Sequence, residues 1–516
     1  MNPSGELFKL IKSLTKSEKR FFKLSSSLQS GEKNYLRLFN AIEKQKEYDE
    51  EAIKKSFKNE RFVKHLPSEK NHLYKLILKS LRSYYTDSNV SSVLKEEIKN
   101  IEILYGKALY KECSKLIRKS KKTAYEHEKF YYLLELIKWE KLLLEEEYMS
   151  GNFDQNLNQL IKEEQEVIEK LRNVAEYQIL YSKINYVFRK GGYVRNDKEK
   201  QIVNEISDYH LIKGANTALS KRAAATCYYI KGLCAVVNYE YRKSYQSFCR
   251  VSSIFENSPM LIQDIPKQYI KSLENLLLCF IDHKDFKSFF DLFDKIQSIK
   301  DSPEFSSIDN QLKIFTSSYR AELIAYERMG EFIRALERVD EILDGLEKYK
   351  NKIPKEDLLL FYYHLSYIFF GAGKIKEALK WLNLVLNDNE ANLRQDVYSF
   401  ARLFNLIIHF ELGNYDLLDY IIKSTNRFYL KRKRELNREY KFETVFLGYF
   451  KSIAKQYADE EKLQLLFKQL QSEIQLVLKD NYEKVAMEYF DFLTWIDSKI
   501  RKESFGKIKN EQLSEK

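Results

Sequence analysis

Apolar residues in this chain recur every three or four positions, and turn residues interrupt them at intervals that themselves repeat. Around "ERMGEFIRALERV" (327–339), Leu323, Ile324, Tyr326 and Met329 share a face ahead of Gly330. After it, Phe332, Ala335, Leu336, Val339, Ile342, Leu343 and Leu346 follow the i, i+3, i+4, i+7 rule of an amphipathic helix. Two such helices meeting at a glycine predict a helical hairpin, with Gly330 supplying the backbone freedom of the turn. The same grammar returns elsewhere: a turn residue, an aromatic or branched residue two later, a close-packing position five later, and an apolar residue four beyond that. It reads Gly373, Ile375, Ala378, Leu382, then Gly413, Tyr415, Leu418, Ile422, and upstream Gly151, Phe153, Asn156, Leu160. Two further copies replace the glycine, as Lys284, Phe286, Phe289, Phe293 and as Tyr239, Tyr241, Ser244, Phe248. Weaker copies centre on Cys113, Asn196 and Leu463. The close-packing positions fall at 113, 156, 196, 244, 289, 335, 378, 418 and 463, a recurrence of 40 to 48 residues. Such a period predicts an array of helical hairpins, each burying its apolar face against its neighbours.

The stretches "LSYIFFGAGKIKEALKWLNLVL" (365–386), "LIAYERMGEFIRALERVDEIL" (323–343) and "IKGLCAVVNYEYRKSYQSFCRVSSIFENSP" (230–259) resemble tetratricopeptide repeats. The family's small first-helix residue falls on Gly232 and Ser366, and its aromatic three residues later on Tyr326 and Phe369. Its glycine turn falls on Gly330, Gly373 and Gly413, and its second-helix alanine on Ala335 and Ala378. The chain departs from the family in period, which is usually 34 residues, and in lacking the first-helix tryptophan. The resemblance implies an all-α superhelical array, an α-solenoid of antiparallel helix pairs. It further implies a non-enzymatic scaffold holding a protein or peptide in a concave groove lined by first-helix residues. In the family's register these include Arg320, Ile324, Tyr363, Tyr367, Phe370 and Phe410. Tyr363, Tyr367 and Phe370 are spaced i, i+4, i+7 and form an aromatic strip. Such a strip either packs in the core or, if exposed, grips a peptide by apolar contact, with Arg320 fixing a carboxylate.

Residues 1–90 lack the repeat and carry 19 Lys/Arg against 11 Asp/Glu, which accounts for eight of the chain's net +12. Short helices are expected at about 5–13, 16–28, 33–46, 49–58 and 68–85. Thr15 and Glu18 form a capping box that starts the second, and Ser68 is the expected cap of the last. On that last helix Lys75, Lys79 and Arg82 lie opposite the apolar face. They are placed either to contact nucleic-acid phosphates or to keep a capping unit soluble. The Ser-rich "YTDSNVSS" (85–92) ends this module. The organisation read from the sequence is therefore a basic helical module over 1–90, a repeat array over 91–499 and a polar, frayed tail over 500–516.

Composition agrees with long helices: six Pro and 15 Gly are few for 516 residues, while 37 Tyr and 33 Phe can fill an interior. Five scattered cysteines without C-x-x-C fit buried thiols of a reducing compartment. With no apolar leader and no span of 18 apolar residues, a soluble, cytoplasmic protein with no membrane association is expected. The seven histidines show no H-x-x-x-H or H-E-x-x-H spacing, and no phosphate-binding glycine loop or nucleophile elbow occurs. The expectation is accordingly of no enzyme, no metal and no cofactor. "KGGYV" (190–194) reads as a turn, and the basic run 427–441, centred on Arg427, Lys431, Arg434, Arg438 and Lys441, as a self-paired helix face or an anion-binding one.

Overall fold

The computed structural model describes residues 3–27, 34–87, 89–151, 157–388, 393–436 and 439–514. Among them every regular element is a helix and no strand occurs. The chain forms two compact units, 1–168 and 169–516.

In the first unit, helices Pro3–Ser13, Lys16–Ser27, Asn34–Lys44, Glu50–Ser56 and Leu66–Tyr84 enclose a small core of their own, with Leu7, Ile11, Phe22, Phe39, Leu73 and Ile77 buried. The capping box forms: the Glu18 carboxylate accepts from the Thr15 amide at 2.5 Å, and the Glu18 amide donates to the Thr15 hydroxyl at 3.2 Å. Ser68 does not cap the last helix, which already begins at Leu66. Pro67 sits in its first turn, where a missing amide hydrogen costs nothing because that hydrogen would have no helical acceptor. Helices Val90–Tyr105, Tyr110–Glu126 and Phe130–Met149 and the start of Leu157–Gly191 belong to the same unit, so position 90 falls inside it.

The second unit is a succession of hairpins: Lys221–Val237 with Tyr241–Glu256, Pro266–Asp282 with Phe286–Ile299, and Ile308–Met329 with Phe332–Leu336. The last of these resumes as Val339–Lys348 after a break at Glu337–Arg338. Lys355–Gly371 pairs with Ile375–Leu386, Gln395–Glu411 with Tyr415–Leu436, and Lys441–Gln456 with Glu460–Val477. Each turn residue named above is left-handed: Tyr239 (φ 59°), Lys284 (58°), Gly330 (68°), Gly373 (76°) and Gly413 (70°). Ala108 (58°), Gly151 (79°) and Gly192 (73°) extend the series upstream at intervals of 40 to 47 residues. Left-handed residues at Glu128, Asn216, Arg394 and Lys502 stand outside it. Of the close-packing positions, Cys113, Ser244, Phe289, Ala335, Ala378 and Leu418 are fully buried, while Asn196 and Leu463 are half-buried. Asn156 and Phe153 of the Gly151 copy lie outside the described residues. The small first-helix positions work as contact points between partner helices. A Cβ on Gly232 would sit 2.6 Å from the Phe248 ring, and the Ser366 hydroxyl donates to the Ala378 carbonyl at 2.8 Å.

The C-terminus departs from the reading of a frayed tail. After Phe492–Arg501 the chain forms another helix, Phe505–Ser514, with Phe505 and Ile508 buried. Two apolar residues three apart in a polar stretch suffice to dock one helical face.

Candidate functional site

The six residues assigned to a concave groove are for the most part in the interior, because a distant segment of the same chain covers them. Tyr363, Tyr367, Phe370 and Phe410 are buried. The Tyr363 hydroxyl donates to the Tyr489 carbonyl at 3.1 Å, and the Tyr367 hydroxyl accepts from the Asp491 amide at 3.1 Å. Phe370 lies 5.6 Å from Phe490 and 5.5 Å from Phe505, ring centre to ring centre, and Phe410 lies 6.1 Å from Trp495. The aromatic strip is therefore core, filled by residues 489–505. Ile324 is half-buried. Arg320 is not free for a peptide carboxylate either: it bonds Glu274 on one side and Asp357, at 2.5 Å, on the other. Burial alone would raise the Glu274 carboxyl, but Lys313 and Arg320 beside it bring it down to about 2.

Further ion pairs lock the ends of this unit across its interior. Arg195 grips Glu443 through two bonds of 2.8 and 3.2 Å and approaches Glu483 at 3.4 Å, all three side chains being buried. Arg394 pairs with Asp396 at 2.7 Å, and the Tyr489 hydroxyl donates to the same carboxylate. These groups fill the space at Gly192, where a Cβ would meet Asp396 at 2.5 Å and Tyr489 at 2.8 Å. Gly192 of "KGGYV" thus faces the chain's own carboxylate, which fills the place a bound phosphate would need. Burial pushes the Cys279 thiol up to about 12 and Cys234 to about 11, so neither supplies a thiolate at neutral pH. Among the described residues no three His, Cys, Asp or Glu side chains gather as a metal site, and no helix is long and apolar enough to cross a membrane.

What remains open is a cleft of about 940 Å³ over the hairpin turns. Its floor is apolar, from Phe332, Phe370, Ile375 and Phe505, and Ile333 stands 67% exposed within it. Its rim carries both charges, Glu331, Arg334 and Glu337 facing Lys499 and Lys507. The left-handed turns at Gly330 and Gly373 form one wall and the C-terminal helices the other. Sequence reasoning found these glycines as punctuation and Ile333 not at all. The missed signal was a large apolar residue between Phe332 and Arg334, off the buried face of its helix.

The second candidate surface lies on Leu66–Tyr84. Lys75, Lys79 and Arg82 are exposed there, and none of them forms an ion pair among the described residues. Their neighbours differ: Lys70 is buried against Glu50 at 2.7 Å, Lys19 and Lys23 share Glu43, and Arg37 holds Glu60. In the basic run 427–441, Lys431 pairs with Glu435 and Lys433 with Glu439, which favours the self-paired reading, while Lys441 pairs outside the run with Asp480. Arg438 lies outside the described residues. The sequence matches no family model and no curated protein.

Proposed function

We propose that the chain is a non-enzymatic scaffold that binds a protein or peptide segment, and that it does so in the cleft over its hairpin turns. The observation that carries this reading is Ile333, exposed beside Phe332 and Phe370 and ringed by charges of both signs. An apolar floor with a polar rim is the anatomy of a protein-binding patch. The recurring left-handed turns and buried close-packing positions support reading the hairpins as elongated tetratricopeptide-like repeats in a superhelical array. Ile333→Asp is expected to weaken capture of a bound partner at least tenfold. Leu384→Asp, an equally exposed-face change outside the cleft, should leave capture unaltered. Equal capture by both variants overturns the assignment.

One observation favours a second activity for the N-terminal unit: the unpaired Lys75, Lys79 and Arg82 on one exposed helical face suit a phosphate backbone. Binding of duplex DNA or RNA should then fall with salt, with a log–log slope of about −3 from three phosphate contacts. A Lys75/Lys79/Arg82 triple glutamate variant should abolish it. Binding absent at low salt, or unchanged in that variant, removes this reading.

A further inference from the structure

We propose that the C-terminal helix Phe505–Ser514 is a built-in ligand of the hairpin-turn surface, held in a seat that accepts a partner's helix in exchange. The partner's helix would carry a Phe–Gly pair, an apolar residue three positions after the Phe, and an amide five after it. This deepens the scaffold reading, because the seat adjoins the open cleft and shares Phe332, Phe370 and Gly371 with it.

The seat is more selective than a helix cap requires. Phe505 enters a socket of four rings from other elements: Phe332 at 5.7 Å, Tyr367 at 6.1 Å, Phe370 at 5.5 Å and Phe490 at 5.4 Å between centroids. Gly506 lies directly on the turn after Lys355–Gly371. A Cβ there would come within 2.7 Å of the Gly371 carbonyl oxygen, so any larger residue lifts the helix off. Gly371 is itself pressed on the Phe332 ring, where a Cβ would meet carbon at 2.3 Å. Ile508 is fully buried one turn on. With its amide nitrogen toward the turn, Asn510 donates to the carbonyls of Met329 (3.2 Å) and Gly330 (2.8 Å), which end Ile308–Met329. An aromatic anchor, a glycine that alone allows backbone contact, and an amide reading two carbonyls together specify a sequence, which is the mode of helix-in-groove recognition.

The attachment of this helix to the rest of the chain favours exchange. Two of its side chains, Phe505 and Ile508, are buried apolar anchors, and one ion pair, Lys509 with Asp491, is shielded. The Thr494 hydroxyl also donates to Gln512 at 2.9 Å, while the pairs of Lys507 with Glu503 and of Arg501 with Glu511 are exposed and contribute little. The connection to Phe492–Arg501 is short and runs through Lys502, which caps that helix in the left-handed conformation at φ 59°. A ligand that binds the emptied seat would therefore shift a local equilibrium without unfolding the hairpins.

The test uses the full chain and a labelled peptide of residues 503–514. Phe505→Asp and Gly506→Val in the chain should each evict the helix, and each should bind the peptide at least tenfold more tightly than the unaltered chain does. A peptide carrying either substitution should not bind. If the variants keep their helical circular dichroism yet bind no peptide, the helix is a cap and the exchange is refuted. Loss of helical signal in both variants refutes it equally, since the seat then cannot exist empty. In the unaltered chain, amides of 505–514 should exchange hydrogen faster than those of Phe492–Arg501, and equal protection counts against the proposal. Peptide binding together with partner capture indifferent to Ile333→Asp would sink the scaffold assignment alone. The reverse combination would sink the exchange alone.

Discussion

Trp495→Ala is expected to destabilise the second unit by about 3–5 kcal/mol, the cost of emptying a large aromatic site in a packed interior. The indole is fully buried. It stacks on Phe450 at 5.8 Å and meets Phe467 and Phe410 edge-on at 5.6 and 6.1 Å, so it touches two successive hairpins at once. Its ring nitrogen donates to Glu411 at 2.7 Å, and Lys499 holds the same carboxylate at 2.6 Å. Removing the indole leaves a cavity and also takes one donor from Glu411. Trp495→Phe should recover most of the packing and lose only the hydrogen bond, at about 1 kcal/mol. Urea denaturation of the full chain measures both, as a lower midpoint at unchanged slope. A loss below 1 kcal/mol for the alanine variant would contradict the packing described here.

Arg195→Met is expected to cost a similar amount, about 3–5 kcal/mol, for an electrostatic reason. Breaking a buried pair from one side leaves a desolvated charge without its partner. Here two carboxylates would be left, Glu443 and Glu483, both buried. Burial, then Glu443, already hold the Glu483 carboxyl above its ordinary range, against the pull of Arg195. Without the guanidinium it rises further, so the folded state binds a proton that the unfolded chain releases. Stability of the variant then falls as pH rises through that window, and its deficit should be larger at pH 8 than at pH 5. Arg195→Met combined with Glu443→Leu should recover part of the loss at pH 8. A deficit independent of pH would mean that the carboxylates reach water in the variant.

The hairpins were legible because their signals are local. Gly330, Gly373 and Gly413 mark left-handed turns by identity, and the burial of Ala335, Ala378 and Leu418 follows from fixed offsets within a helix. The turns at Tyr239 and Lys284 are marked by the residues that follow them, Tyr241, Ser244 and Phe248 in one and Phe286, Phe289 and Phe293 in the other, since neither turn residue type favours a positive φ. The exchange of bonds between Thr15 and Glu18 is local in the same sense. The candidate site was not legible for the opposite reason. Whether Tyr363, Tyr367 and Phe370 face solvent depends on Tyr489, Phe490 and Phe505, more than 100 residues away, and helical periodicity carries no information about what covers a face. Arg320 misled in the same way, because its partners Glu274 and Asp357 belong to other hairpins. The tail was read as frayed because Phe505 and Ile508 are only two apolar residues, too few to register as a periodic pattern.

The clasp between Arg195 and Glu443 also bears on how this unit comes together. It joins positions 248 residues apart, and the bond to Glu483 spans 288. In an open array each hairpin needs only its neighbours, so the structure can grow or melt one hairpin at a time. Here the earliest and latest parts of the unit complete each other's interior. The closing step must wait until the last hairpins have been synthesised, which places a slow, long-range event at the end of folding. It also means that this unit, shortened at either end, loses support at the other.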